Sequence, residues 1–166
     1  MDASRRGLGF RGRGGEPERR RGRLRPSATV KADAVFLDSG IFIAFLDRSD
    51  RFHSAAVGLF SSPPRRCHTS LAVVSETYGW FLHRLGEEAA RAFRLALAEF
   101  SWLTLQALDT EHHAAVLRKL ELLRGHKLTY VDASSLVFLA RLRVREVWGT
   151  DRDLSIEGAR VVPTRG

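Results

Sequence analysis

The stretch Ala34 to Leu46, AVFLDSGIFIAFL, decides how the rest of the chain is read. Four apolar residues, β-branched and aromatic members among them, run into Asp38 and are closed by Ser39-Gly40 before a second apolar run begins. Such a run predicts a buried strand that stops at a turn and hands over to a helix. Asp38 then lies at the carboxyl end of a strand, where open α/β sheets keep their ligands. Asp is also among the best helix N-caps, so the local sequence leaves a capping role open.

Working outward, Asp47-Arg48-Ser49-Asp50 is a polar turn, and Phe52, Ala55, Ala56, Leu59 and Phe60 follow at helical spacing until Ser61-Ser62-Pro63-Pro64 stops them. His53 reads as a surface or half-buried helix residue. Cys67 to Thr69 is a short strand candidate. Leu71 to Leu85 is a helix apolar nearly all round with Glu76 in its midst, and an ionised carboxylate on such a face needs a partner. Gly79 could admit a neighbouring backbone or be merely tolerated. A helix opening at Gly86-Glu87-Glu88 has acids in its first turn, where the dipole favours them.

Trp102 to Leu108 alternates as a strand, Asp109-Thr110 caps the next helix, and Tyr130 to Ser135 opens another that runs through Leu142. Asp132 could be its N-cap. Glu146 to Thr150 is a strand ending at Asp151-Arg152-Asp153, where a polar turn is the simpler reading. Arg160 to Val162 is the last strand. Strands alternating with helices in this order predict an α/β fold whose parallel sheet is flanked by helices.

At 166 residues the chain is one domain long, and 44% hydrophobic with 28% charged residues is ordinary for a globular protein. The net charge of +8 is uneven: nine arginines before Val30 face only Asp2, Glu16 and Glu18. Residues 1–31 therefore read as a disordered Arg/Gly-rich tail and 32–166 as the folded domain. The tail is a solvating extension, the product of a start placed too far upstream, or an electrostatic contact for RNA. Ser4-Arg5-Arg6 lacks the apolar region a twin-arginine signal requires. No apolar run is long enough to span a membrane, and a cytoplasmic location is expected. Cys67, the single cysteine, can build neither an intrachain disulfide nor a cysteine zinc site, and reads as core packing.

Asp38, Asp132 and Asp151 all fall where a strand ends or a helix begins, and a parallel sheet brings such positions to one edge. Glu76 could join them there. Two carboxylates about 4 Å apart repel by roughly 4 kcal/mol at an effective dielectric of 20, so a cluster needs a cation or must take up protons. Oxygen-only ligands select a hard divalent ion, Mg²⁺ or Mn²⁺, which could hold a phosphate oxygen and activate water against a phosphodiester.

Four segments carry a family resemblance: LDSG (37–40), VVSE (73–76), VDAS (131–134) and GTDRDL (149–154). In order and at these spacings they resemble the acidic motifs of the PIN domain, and DRSDRFHSA (47–55) is similar to the family's helix after the first motif. The resemblance covers about Ala32 to Pro163. It implies a three-layer α/β/α sandwich and a metal-dependent ribonuclease, most like the VapC toxins of toxin-antitoxin pairs. It also implies that Asp38, Glu76, Asp132 and Asp151 are the catalytic and metal-holding acids, with Asp153 an outer or alternate ligand. Ser39 and Thr150 would orient carboxylates.

An RNA substrate, a small antitoxin whose basic residue competes with the metal, and a homodimer follow from the same likeness. Leu154 stands where the family more often has Phe, and the tail has no counterpart in the compact toxins. Two alternatives stay in view. One is a PIN-like scaffold that binds RNA or a partner without cutting. The other is a haloacid-dehalogenase-type phosphohydrolase, which wants a second Asp where this chain has Gly40.

Overall fold

The structure, a computed structural model, describes residues 33–164. The basic tail and the boundary expected at residues 31 and 32 lie outside the described residues. In chain order the elements are β1 (Ala34–Leu37), α1 (Ser39–Leu46), α2 (His53–Phe60), β2 (Arg66–Ser70), α3 (Leu71–Leu85) and α4 (Glu87–Glu99). They continue with β3 (Leu103–Gln106), α5 (Thr110–Leu122), α6 (Tyr130–Leu142), β4 (Glu146–Trp148), a 3-10 turn (Asp153–Ser155) and β5 (Arg160–Val162).

All strand pairings are parallel, in the order β3-β2-β1-β4-β5. β1 is therefore central, which explains why its residues are apolar without alternation: Val35, Phe36 and Leu37 are buried on both faces. Winding proceeds from β1 outward to β3, then reverses past β1 to β4 and β5. Open α/β sheets bind ligands at the carboxyl edge beside such a reversal, here between β1 and β4.

Ring contacts show the layers. On one face Phe36 stacks with Phe138 of α6, and Phe138 in turn with His112 of α5 at 3.9 Å. On the other face Phe60 of α2 packs on Phe45, Phe42, Phe100, Trp102 and Trp148. The result is the three-layer α/β/α sandwich with a parallel sheet. Caps hold the helix starts: Ser70 Oγ accepts from Val73 N, and Asp109 Oδ1 accepts from His112 N at 2.6 Å. Cys67 is buried in the core as expected, and a side chain at Gly79 would meet nothing, so that glycine is simply tolerated.

Candidate active site

Asp38 follows β1 in extended conformation, and its backbone N–H donates to Trp148 O at 2.8 Å, prolonging the β1–β4 ladder by one residue. Thr69 Oγ1 donates to Leu37 O at 2.8 Å and ties β2 to the same point. The loop after β4 closes in from the other side. A Cβ at Gly149 would lie 3.1 Å from Asp38 Cβ, and one at Gly40 would overlap Thr150 and come within 3.0 Å of its backbone N. Both positions admit only glycine without a shift, and that is how α1 and the end of β4 approach each other.

The capping role considered for Asp38 is not what its side chain does: it makes no cap hydrogen bond to α1. The residue is 4% exposed and its Oδ1 is buried without a hydrogen-bond partner. Burial first, then the neighbouring Glu76 and Asp132 carboxylates, push the Asp38 carboxyl up to about 7. The backbone N–H groups of Ser39 and Gly40 pull the other way, as the positive end of a helix must, and lose.

Glu76 differs from expectation in its surroundings. The core-facing stripe of α3 is Ala72, Val73, Thr77 and Phe81. Glu76 lies beside that stripe and is solvent-exposed, so water at the open sheet edge meets the need for a partner. It still faces Asp38 closely enough to raise it.

Asp132 is not the N-cap of α6. Thr129 is, and Asp132 completes a capping box three residues on: Asp132 N donates to Thr129 Oγ1 at 3.1 Å, while Asp132 Oδ2 accepts from Thr129 N at 2.8 Å and Thr129 Oγ1 at 2.7 Å. One oxygen is thus fixed to the helix start. Thr129 was missed by sequence reasoning although T-x-x-D before an apolar run was legible.

Asp151 stands apart. It is exposed, its Oδ1 accepts from Asp153 N at 2.9 Å in a turn, and it is not among the groups that move Asp38. Asp153, half-buried, starts the 3-10 turn. The hydroxyls of Ser39 and Thr150 donate to no carboxylate among the described residues. Asp38, Glu76 and Asp132 therefore form one electrostatic group, and Asp151 and Asp153 lie on the loop after β4 without acting on Asp38. Among the described residues no group of three or more acids, histidines or cysteines is drawn tightly enough together to hold an ion ready-made.

The donors nonetheless fit a hard divalent cation. An orphaned, buried carboxylate oxygen flanked by two further carboxylates is a locus of uncompensated negative charge, and all its ligand atoms are oxygen. No helix among the described residues is long and apolar enough to cross a membrane.

Comparison with proteins of known structure agrees on the fold. A crystal structure of the Mycobacterium tuberculosis toxin VapC20, described as cleaving the sarcin-ricin loop, superposes with a TM-score of 0.71 at 23% identity, covering 80% of this chain and 99% of that one. PAE2754 from Pyrobaculum aerophilum gives 0.51 at 18% identity, covering 77% and 82%. No curated protein sequence matches. The PIN domain model matches residues 35–156, from the strand before Asp38 to just past the turn after Asp153, so that the chain belongs to the PIN domain family.

Proposed function

We propose that the protein is a metal-dependent endoribonuclease and the toxin of a toxin-antitoxin pair. The observation that carries this is the state of Asp38: an oxygen with no partner, in a place where burial first, and then two other carboxylates, make ionisation costly. Asp38, Glu76 and the free oxygen of Asp132 would hold Mg²⁺ or Mn²⁺, with Asp151 and Asp153 joining from the β4 loop. A divalent ion there would supply Lewis-acid polarisation of a phosphate oxygen and of a bound water.

The chain's own contribution is positional. Thr129 fixes Asp132, the β1–β4 ladder fixes Asp38, and Glu76 at the solvent edge is free to take a proton from an entering water. The sarcin-ricin loop cleavage ascribed to VapC20, which shares this fold, supports RNA as the substrate class. Inhibition by a small antitoxin that places a cation in the acidic group, and a homodimeric, cytoplasmic protein, accompany this reading.

The test is cleavage of RNA by the full chain in Mg²⁺, beside EDTA and beside Asp38→Asn and Asp132→Asn, together with growth on induced expression. Cleavage and growth arrest in the wild type alone are expected. Cleavage unchanged in EDTA or in both variants overturns the proposal. A PIN scaffold that binds RNA without cutting is the alternative, favoured by Asp151 standing uncoupled from Asp38, and RNA binding without any cleavage would establish it.

A further inference from the structure

We propose that the cleft beside Asp151 is a subsite for one nucleobase of a single-stranded RNA; the inference rests on the ribonuclease reading and adds where the substrate is gripped. The cleft, about 330 Å³, lies between the α1–α2 turn and the ends of β4 and β5. Phe52 from the α1–α2 turn, Thr150, Asp151 and Arg152 from the loop after β4, and Val161 and Pro163 from the end of β5 line it. That is the small end of the range for ligand cavities.

The wall that matters is built, not incidental. Phe52 N donates to Asp50 Oδ1 at 2.7 Å, and Ser49 donates to Asp47 Oδ1 through both its N (2.9 Å) and its Oγ (2.6 Å). His53 then anchors the following helix, with N donating to Asp50 O and Nδ1 to Ala44 O, each at 2.9 Å. Phe52 is half-buried against the core, so its ring is held while part of it stays open. The guanidinium of Arg51 lies over the Phe52 ring, 4.7 Å from its centroid, so the π face of this ring already accepts a cation.

A base fits this lining better than a phosphate does. The cleft offers a flat ring and an aliphatic wall, and the Asp151 carboxylate would repel an anion placed inside. Arg152, exposed, lines the cleft, and Arg51, exposed on the Phe52 ring, adds a second cation beside it for the flanking phosphates. Single-stranded RNA is held by this combination of aromatic or guanidinium stacking with cationic flanks.

The test uses the full chain with Asp38→Asn to stop turnover, and unstructured RNA decamers carrying 2-aminopurine at each position in turn. Quenching is expected at one position. Phe52→Leu, which keeps apolar bulk but removes the π face, should abolish it and weaken binding about tenfold, and Phe52→Trp should restore both. In the active chain Phe52→Leu should raise KM about tenfold with kcat changed less than about twofold. Equal quenching and KM with Phe or Leu at 52 overturns the subsite. If Phe52→Leu does not fold by circular dichroism, Phe52→Trp decides: weaker binding than wild type overturns the proposal, equal or tighter binding supports it. Quenching that depends on Phe52 without any cleavage would sink the nuclease reading and leave the subsite; cleavage that depends on Asp38 but ignores Phe52 would do the reverse.

Discussion

Replacing Asp38 by Asn should stabilise the metal-free protein in alkaline solution while removing its activity, and the size of the gain follows from the site. The folded-state pKa of about 7 lies well above the ordinary carboxylate value, so the folded protein holds a proton there that the unfolded chain releases. Stability from this group is complete below the unfolded value and is lost as pH rises through 7. Integrated from pH 5 to pH 9, the loss is about 2 to 3 kcal/mol. Asn, similar in shape and never ionised, escapes it.

The assay is urea unfolding in EDTA at pH 5, 7 and 9 for wild type and Asp38→Asn. With a slope of roughly 1–3 kcal/mol per molar urea, the wild-type midpoint should fall by about 1–3 M relative to the variant. His112, whose burial lowers its pKa, contributes with the opposite sign, its stability being lost as pH falls below its ordinary value; both chains carry it, so it cancels in the difference. Saturating Mg²⁺ at pH 9 should restore the wild type and leave the variant unmoved. Parallel midpoints across the pH range would refute the account of Asp38 as a carboxylate ionised at a cost, and with it the argument for a cation.

Thr129→Ala removes both side-chain bonds to Asp132 and should cost about 1 kcal/mol by thermal denaturation; the larger effect is expected on the Mg²⁺ concentration for half-maximal cleavage, which should rise, with Thr129→Ser near wild type. Gly40→Ala brings a methyl group against the Thr150 backbone and should destabilise by roughly 1–3 kcal/mol with reduced cleavage; unaltered melting would mean that the β4 loop yields freely. Phe60→Ala opens the aromatic cluster between α2 and the sheet and should cost about 3–5 kcal/mol in urea unfolding, the standing of a residue that is core and not site.

Periodicity and end signals along the chain determined the order of strands and helices, because a strand buried on both faces and a helix with one apolar stripe are patterns written within a dozen residues. The same local signals marked Asp38, Glu76, Asp132 and Asp151 as acids in apolar company. Only the tertiary structure decided what each acid faces. The strand order, reversing between β1 and β4, sets the Gly149-Thr150 loop against Asp38 and Gly40. The packing of α3 buries Ala72, Val73, Thr77 and Phe81 and leaves Glu76 in solvent, although a helical wheel puts it on an apolar face. Thr129, the helix cap, ties one oxygen of Asp132 into a capping box and leaves the other to spare, and a turn to Asp153 holds Asp151 aside. Burial and charge are properties of whatever packs on a residue from distant parts of the chain, and a local window of sequence contains none of those neighbours.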